Sequence, residues 1–297
     1  MSSPLFSIVI PTYNRAELLK RCLNSVIAQT VQDWEAIVVD NYSEDNTEEV
    51  VNSFHDSRIR YLKNHNHGVI AVSRNKALDL AKGQYVCFLD SDDYWVPCKL
   101  EILLPLMNKY DLVYHDYFTN VEKRYLFHRT SSKFYDIKKV SVAYVIQRGD
   151  PINPSCTCVS MAVIGDTRFD ESKSLFAVED YDFFLQLMNK KMRIKKLNKE
   201  LTYYDVSTGC SHGIKSLERD MQLFQKYSTV LSEKEKNNFL KLHDYKEGGY
   251  YMSLGDYDNA IIYLKKAFSS SIFQVKKKSL TAILHCYFNK CFLSKKL

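Results

Sequence analysis

The chain has 297 residues, 45% of them hydrophobic and 26% charged, and 41 Lys and Arg against 35 Asp and Glu set a net charge of +6. That length suits a sizeable core in one large domain or two smaller ones, and nine Gly, six Pro, 21 Tyr and 16 Phe exclude disordered and collagen-like chains. The apolar runs fall far short of the roughly 18 residues that span a bilayer. The Met1-Ser2-Ser3-Pro4 start lacks the pattern of a secretory signal, so a cytoplasmic protein beginning near Met1 is expected. The cysteines at 22, 87, 98, 156, 158, 210, 286 and 291 form no Cys-x-x-Cys pair and read as reduced thiols. Cys156 and Cys158 alone are half a metal site and are not taken as one.

The first hundred residues alternate strands and helices. Phe6 to Ile10 is a buried strand ending at Pro11, and Ala16 to Thr30 carries Leu18, Leu19, Cys22, Leu23, Val26 and Ile27 at helical spacing, with Asn14 available as its cap. Trp34 to Val39 is a second buried strand, followed by a helix over Thr47 to Phe54 and a short strand over Ile59 to Leu62. A helix over Ile70 to Ala81 stops at Lys82-Gly83, read as its C-cap, before a strand over Tyr85 to Leu89. Repeated units of this kind imply an α/β fold with a mostly parallel sheet covered by helices, and such sheets bind ligands at the carboxyl ends of their strands.

Further along, Leu112 to Tyr117 reads as a strand, Val140 to Gln147 as helix or strand, Thr157 to Val163 as a strand and Asp180 to Met188 as a helix. From Ser216 onward the pattern is helical and free of proline. There Gly248, Tyr251, Gly255-Asp256-Tyr257-Asp258, Ala260, Tyr263 and Ala267 resemble one tetratricopeptide unit, turning at the Gly-Asp-Tyr-Asp and lacking its closing proline. The expected organisation is a domain over 1–214, with halves 1–99 and 100–214, and a helical extension over 215–297.

Polar segments follow the strands: Pro11-Thr12-Tyr13-Asn14-Arg15, Asp40-Asn41-Tyr42-Ser43-Glu44-Asp45 and Asp90-Ser91-Asp92-Asp93. Three carboxylates within four residues repel one another unless a cation neutralises them, and oxygen ligands of this type suit Mg²⁺ or Mn²⁺ shared with a diphosphate. The same residues also read as an acidic loop capping the helix that follows Trp95.

Together with Ser7-Ile8-Val9-Ile10 before Pro11, Gly68 followed by Ser73-Arg74-Asn75, Gly83 and Phe88-Leu89 before Asp90, these motifs resemble the family 2 glycosyltransferases of the GT-A fold over roughly residues 5–210. The resemblance implies a Rossmann-like sheet, a nucleotide diphosphate sugar donor, most often a UDP-sugar, and inversion at the anomeric carbon. It places Pro11, Thr12, Tyr13, Asn14 and Arg15 beside the nucleotide, Asp40 on the uracil and Arg74 near the base or phosphates. Asp90, Ser91 and Asp92 become the Asp-x-Asp element on ribose and diphosphate, with Asp90 and Asp92 on Mn²⁺ or Mg²⁺ and Asp93 close to sugar or metal. Glu179-Asp180 resembles the family's acceptor-side pair, with Asp180 as general base and Glu179 orienting or binding the acceptor; Glu179 also reads as a helix N-terminal carboxylate, and Asp182 as solvent-facing or structural.

The chain departs from the family where Asn41 and Tyr42 replace the usual Asp-Gly and where Asp205 and Ser207 replace a basic residue and a histidine, which puts phosphate contacts from that segment in doubt. His212 reads as a solvated loop residue or as a substitute metal or phosphate ligand, and His65 and His67 as a loop, not a metal pair. The implied activity is transfer of a hexose or N-acetylhexosamine to a glycan acceptor, lipid-linked, in surface polysaccharide or O-antigen synthesis. The alternatives are a scaffold using the repeat-like tail, and a nucleotidyltransferase, whose Gly-rich phosphate loop is missing after the first strand. No nucleic-acid-binding module is recognisable.

Charge divides unevenly: residues 1–214 hold 26 basic and 27 acidic residues, whereas 215–297 hold 15 and 8. Lys276-Lys277-Lys278 precedes Leu280, Ile283, Leu284, Tyr287, Phe288 and Phe292 at helical spacing. Such a segment suits peripheral contact at the inner face of the cytoplasmic membrane, or packing on the preceding helix.

Overall fold

The computed structural model describes residues 3–119, 131–205 and 214–293. Contacts divide the chain into two compact units, Met1–Val140 with Pro151–Gly209, and Ser141–Asp150 with Cys210–Leu297. In chain order the first unit opens with β1 (Phe6–Thr12), α1 (Ala16–Ile27), β2 (Trp34–Asp40), α2 (Thr47–Asn52), β3 (Ile59–Lys63), α3 (Ile70–Leu80) and β4 (Tyr85–Phe88). It continues through β5 (Tyr94–Trp95), α4 (Lys99–Met107), β6 (Leu112–Thr119) and β7 (Ser131–Ser132). After α5 (Val142–Ile146), which belongs to the second unit, come β8 (Thr157–Ser160), α6 (Met161–Ile164), α7 (Glu179–Leu187) and β9 (Ile194–Tyr204). The second unit closes with α8 (Ile214–Tyr227), α9 (Glu233–Ser253), α10 (Tyr257–Phe268) and α11 (Phe273–Leu293).

The sheet order is β3-β2-β1-β4-β8-β6-β9-β5, with β7 beside β6. The first four strands pair in parallel, β8 runs antiparallel to both neighbours, and β9 is parallel to β6. β1 and β2 are buried along their whole length, as continuous β-branched runs between helical layers must be. Ile8, Ile10, Leu19, Leu23, Trp34 and Val38 share one core cluster. Each such side chain contributes about 1.5–3 kcal/mol by leaving water.

Several local expectations are corrected. β1 runs on through Pro11, which sits opposite Val39 in the parallel register. Asn14 does not cap α1: it takes the left-handed conformation, φ 49°, and its Oδ1 accepts from the Glu44 amide. The Ala16 amide donates instead to Asp45 Oδ2 at 3.0 Å, so the cap comes from the loop after β2. Gly83 is no left-handed C-cap either; α3 ends in the extended Ala81. A Cβ at position 83 would lie 2.5 Å from the Ser7 backbone nitrogen, so close approach to β1 is what demands glycine there. Thr157 to Val163 divides into β8 and the turn of helix α6, and Val140 to Gln147 contains α5.

In the second unit Ser232 and Glu235 form a capping box that starts α9. Gly255, φ 75°, and the N-cap Asp256 turn the chain into α10. Gly248 lets α9 approach α10 so closely that a Cβ would meet Leu264 Cγ at 2.7 Å. The Asn238 amide donates to Gln147 Oε1 at 2.8 Å, which ties the 141–150 segment to α9.

Candidate active site

Parallel strands end on one edge, and β1, β2 and β4 deliver their polar tails there. Thr12 stands opposite Asp40, and the Asn41 amide donates to the Thr12 carbonyl at 3.0 Å. Asp40 is fully buried, its carboxylate accepting from the Ser43 amide and hydroxyl and from the Tyr61 hydroxyl at 2.7 Å. Burial and that hydrogen bond to Asp40 push the Tyr61 phenol upward, so it stays a donor. Tyr13 is exposed beside this turn, and Tyr42, φ 57°, stacks on His65 with ring centres 3.7 Å apart.

The acidic loop after β4 is fastened from several sides. The Asp90 amide donates to Ser155 Oγ at 3.0 Å, and the Asp93 amide to the Asp90 carbonyl at 2.9 Å. Arg15 Nη1 lies 2.5 Å from Asp92 Oδ2, and Arg21 donates to the Asp92 carbonyl. Asp93 is fully buried, and its Oδ1 accepts from the Asp205 amide at 2.9 Å. Burial, then Asp90 and Asp92, raise its carboxyl well above the usual range.

Arg74, on α3, is 3% exposed and spans the site. Its Nη2 meets Asp90 Oδ1 at 2.9 Å and its Nη1 meets Glu179 Oε1 at 2.8 Å, so one guanidinium joins the β4 loop to the start of α7. Burial alone would lower its basicity, but Asp90, Glu179 and Asp180 outweigh that and keep it charged. Asp180 is raised to about 7 by burial and by neighbouring Glu179, against the lowering pull of Arg74. Among the described residues, buried polar atoms that lack a hydrogen-bond partner include Thr12 Oγ1, Arg21 Nε, Arg74 Nε, Asp93 Oδ2 and Glu179 Oε2. Unmet polar atoms in one place are costly unless a ligand satisfies them.

Residues 7–164 match the family described as Glycosyl transferase family 2. The chain belongs to that family. This glycosyltransferase is 31% identical over 207 residues to the Escherichia coli UDP-Glc:alpha-D-GlcNAc-diphosphoundecaprenol beta-1,3-glucosyltransferase WfaP, covering 69% of this chain and 78% of the relative. It is 40% identical over 119 residues to the E. coli enzyme of the same described activity, WfgD, covering 39% of this chain and only 47% of that relative. Among solved structures it is similar to S. aureus TarS 1-349 in complex with UDP-GlcNAc, at TM-score 0.64 and 22% identity over 95% of this chain and 89% of that one. The mannosyltransferase PcManGT from Pyrobaculum calidifontis, in complex with GDP-Man and Mn2+, follows at TM-score 0.56, 14% identity and 97% and 81% coverage. These neighbours share the GT-A fold expected from the strand-end motifs. With membership in a family of sugar transferases, the scaffold and nucleotidyltransferase alternatives fall away.

The glycosyltransferase brings Thr12, Asp40, Arg74, Asp90, Ser91, Asp92, Glu179 and Asp180 into one region of its first unit, while Pro11 is a buried strand residue and Asn14 is spent on the Glu44 amide. Asp182 is fully buried and accepts from Gln186 Nε2 at 2.7 Å. Asp205 accepts from Arg21 at 3.3 Å. His212 and Ser207 lie outside the described residues. Among the described residues no group of three or more His, Cys, Asp or Glu side chains is placed to hold a metal ion. Asp90 and Asp92 supply two partly exposed carboxylates, a donor set that fits Mg²⁺ or Mn²⁺ when phosphate oxygens and water complete the shell.

Two supporting residues carry no sequence signal of their own. Ser155 accepts the Asp90 amide through its hydroxyl, and its carbonyl accepts from Trp95 Nε1, Lys99 Nζ and Thr202 Oγ1. Lys99 is fully buried, 3.8 Å from the Trp95 ring, and burial lowers it to about 8. A serine after proline and a lysine opening a helix look ordinary in a sequence. Only the fold brings them under the acidic loop.

Proposed function

We propose that this enzyme is an inverting hexosyltransferase that moves a hexose or N-acetylhexosamine from a UDP-sugar to a lipid-linked saccharide in surface polysaccharide synthesis of the O-antigen type. Support for donor and acceptor comes from the WfaP and WfgD descriptions, which name UDP-Glc and a diphosphoundecaprenol-linked GlcNAc. The carrying observation is the Arg74 bridge, which couples the donor-side Asp90 to the acceptor-side Glu179 beside a carboxylate raised to about 7.

In this reading the acceptor hydroxyl oxygen attacks C1 of the sugar, the bond from C1 to the diphosphate oxygen breaks, and the departing UDP takes that electron pair. Asp180 accepts the hydroxyl proton, a task suited to a base poised near the working pH. Glu179 orients the acceptor through Oε2, which has no hydrogen-bond partner among the described residues. Thr12, Tyr13, Asp40 and Arg15 line the nucleotide, and Asp90 and Asp92 would hold Mn²⁺ or Mg²⁺. That ion would supply charge stabilisation to the diphosphate. The catalytic residues belong to the first unit, and the helices over 215–297 form a tetratricopeptide-like extension, a reading supported by the close approach of α9 and α10 at Gly248. The enzyme works on the cytoplasmic side of the membrane, where its acceptor lipid would be presented.

The test is a donor panel with purified full-length protein, Mn²⁺ and a water-soluble GlcNAc-diphospho-alkyl acceptor, reading nucleotide release and the anomeric configuration of the product. Acceptor-dependent UDP release with inversion is expected. Release from no UDP-sugar, or a retained configuration, contradicts the reading.

A further inference from the structure

α11 has two apolar faces, and its own unit uses only one. Val275, Ser279, Ile283 and Cys286 are buried; Val275 clusters with Leu242, and Ile283 and Cys286 with Ala260, Ile261 and Leu264. Flanking that buried face, Phe273, Leu280, Leu284 and Tyr287 recur at spacings of seven, four and three, which keeps them on one stripe of a helix. They are 76%, 45%, 62% and 46% exposed. Contiguous apolar surface of this kind on a soluble unit marks an interaction site.

The surrounding charge selects the partner. Lys276, Lys277 and Lys278 head the stripe, and α11 contains no Asp or Glu from end to end. Helical periodicity sets Lys276 and Lys277 at the two borders of the stripe, with Lys278 further round the helix. A second copy docking through this helix face would offer its lysines no Asp or Glu of α11 to pair with. A bilayer with anionic headgroups answers both features, since an amphipathic helix lies in the interface with its apolar side chains below the headgroups and its lysines among them. No helix among the described residues is long and apolar enough to cross a membrane.

We propose that the outward stripe of α11, headed by Lys276 to Lys278, docks the enzyme on an anionic lipid bilayer. The idea deepens the lipid-linked acceptor reading above and assigns the contact to one helix face, leaving the inward face to hold the unit together.

The test is flotation of the full-length chain with phosphatidylcholine vesicles and with mixed phosphatidylcholine–phosphatidylglycerol vesicles. Binding to the mixed vesicles is expected to exceed binding to the neutral ones by about tenfold or more and to fall as salt is raised. Leu280→Asp with Leu284→Asp, and separately Lys276→Gln with Lys277→Gln and Lys278→Gln, should each cut flotation by about tenfold. Both should keep the wild-type circular dichroism and turnover on the soluble acceptor. Because the lysines are exposed, the charge variant keeps the test sound if the aspartates unfold the helix. Equal flotation with both vesicle types, no flotation, or undiminished flotation of the lysine variant overturns the proposal. A dimer of the wild-type chain by light scattering, made monomeric by the leucine variant without vesicle binding, would reassign the face to a second copy. Turnover on the soluble acceptor is read without vesicles. Its loss refutes the transferase reading while flotation stands, and the converse result refutes only the docking face.

Discussion

The two units handle charge in opposite ways. In the first, carboxylates and guanidiniums are drawn inward and cross-linked: Arg15 on Asp92, Arg74 on Asp90 and Glu179, Arg60 on Glu35, with Glu35 also accepting from the Ser7 hydroxyl and the Lys82 amide. In the second, most lysines lie on the surface of helices whose cores are apolar. Net charge therefore says little about residues 1–214, whose acids and bases nearly cancel, and much about 215–297, which hold the excess. A buried, paired charge is a tool for positioning; an exposed one is a tool for association.

That contrast can be broken by substitution. The largest effect is expected at Asp180, where Asp180→Asn removes the proposed base and should lower turnover by about 10²- to 10⁴-fold while leaving UDP binding nearly unchanged. A variant with near wild-type turnover contradicts the assignment. Next is Arg74→Ala, which strands Asp90 and the buried Glu179 without their cation and should destabilise the first unit by about 3–5 kcal/mol in denaturant unfolding. Because Arg74 lowers the Asp180 carboxyl, any residual activity should shift to higher pH. Gly83→Ala is expected to cost about 1–3 kcal/mol through the clash with the Ser7 backbone. The smallest effect belongs to the second unit: Ser232→Ala removes the capping box and should cost α9 about 1 kcal/mol, with turnover on a soluble acceptor unchanged. Loss of turnover there would mean that the two units are energetically coupled.

The parts of the site legible in the sequence are those where one strand carries its own signal. β1, β2 and β4 are largely apolar runs, broken inside only by Ser7 and Glu35, and each is followed by polar residues that a parallel sheet must bring to one edge. β9 escaped notice because Ile194–Tyr204 is lysine-rich and mostly half-exposed, with neither an apolar run nor clean alternation. Contacts distant in the chain escaped for a different reason. Asp45 capping α1, Ser155 under Asp90, and the 141–150 segment held by Asn238 depend on tertiary proximity, which local pattern does not encode. Arg74 was placed near the base or phosphates by family resemblance. Its two ion pairs also make it the link between Asp90 and Glu179.

The most direct test of the account is the pH dependence of kcat/KM, measured between about pH 5 and about pH 9 with the soluble acceptor. Asp180 works as a base only when ionised, so its activity is present above its folded pKa and lost as pH falls through it. The expected profile rises through about 7 and then levels, and it moves upward in an Arg74→Lys variant that weakens the pairing. A flat wild-type profile across that window would contradict the assignment of Asp180 as the base.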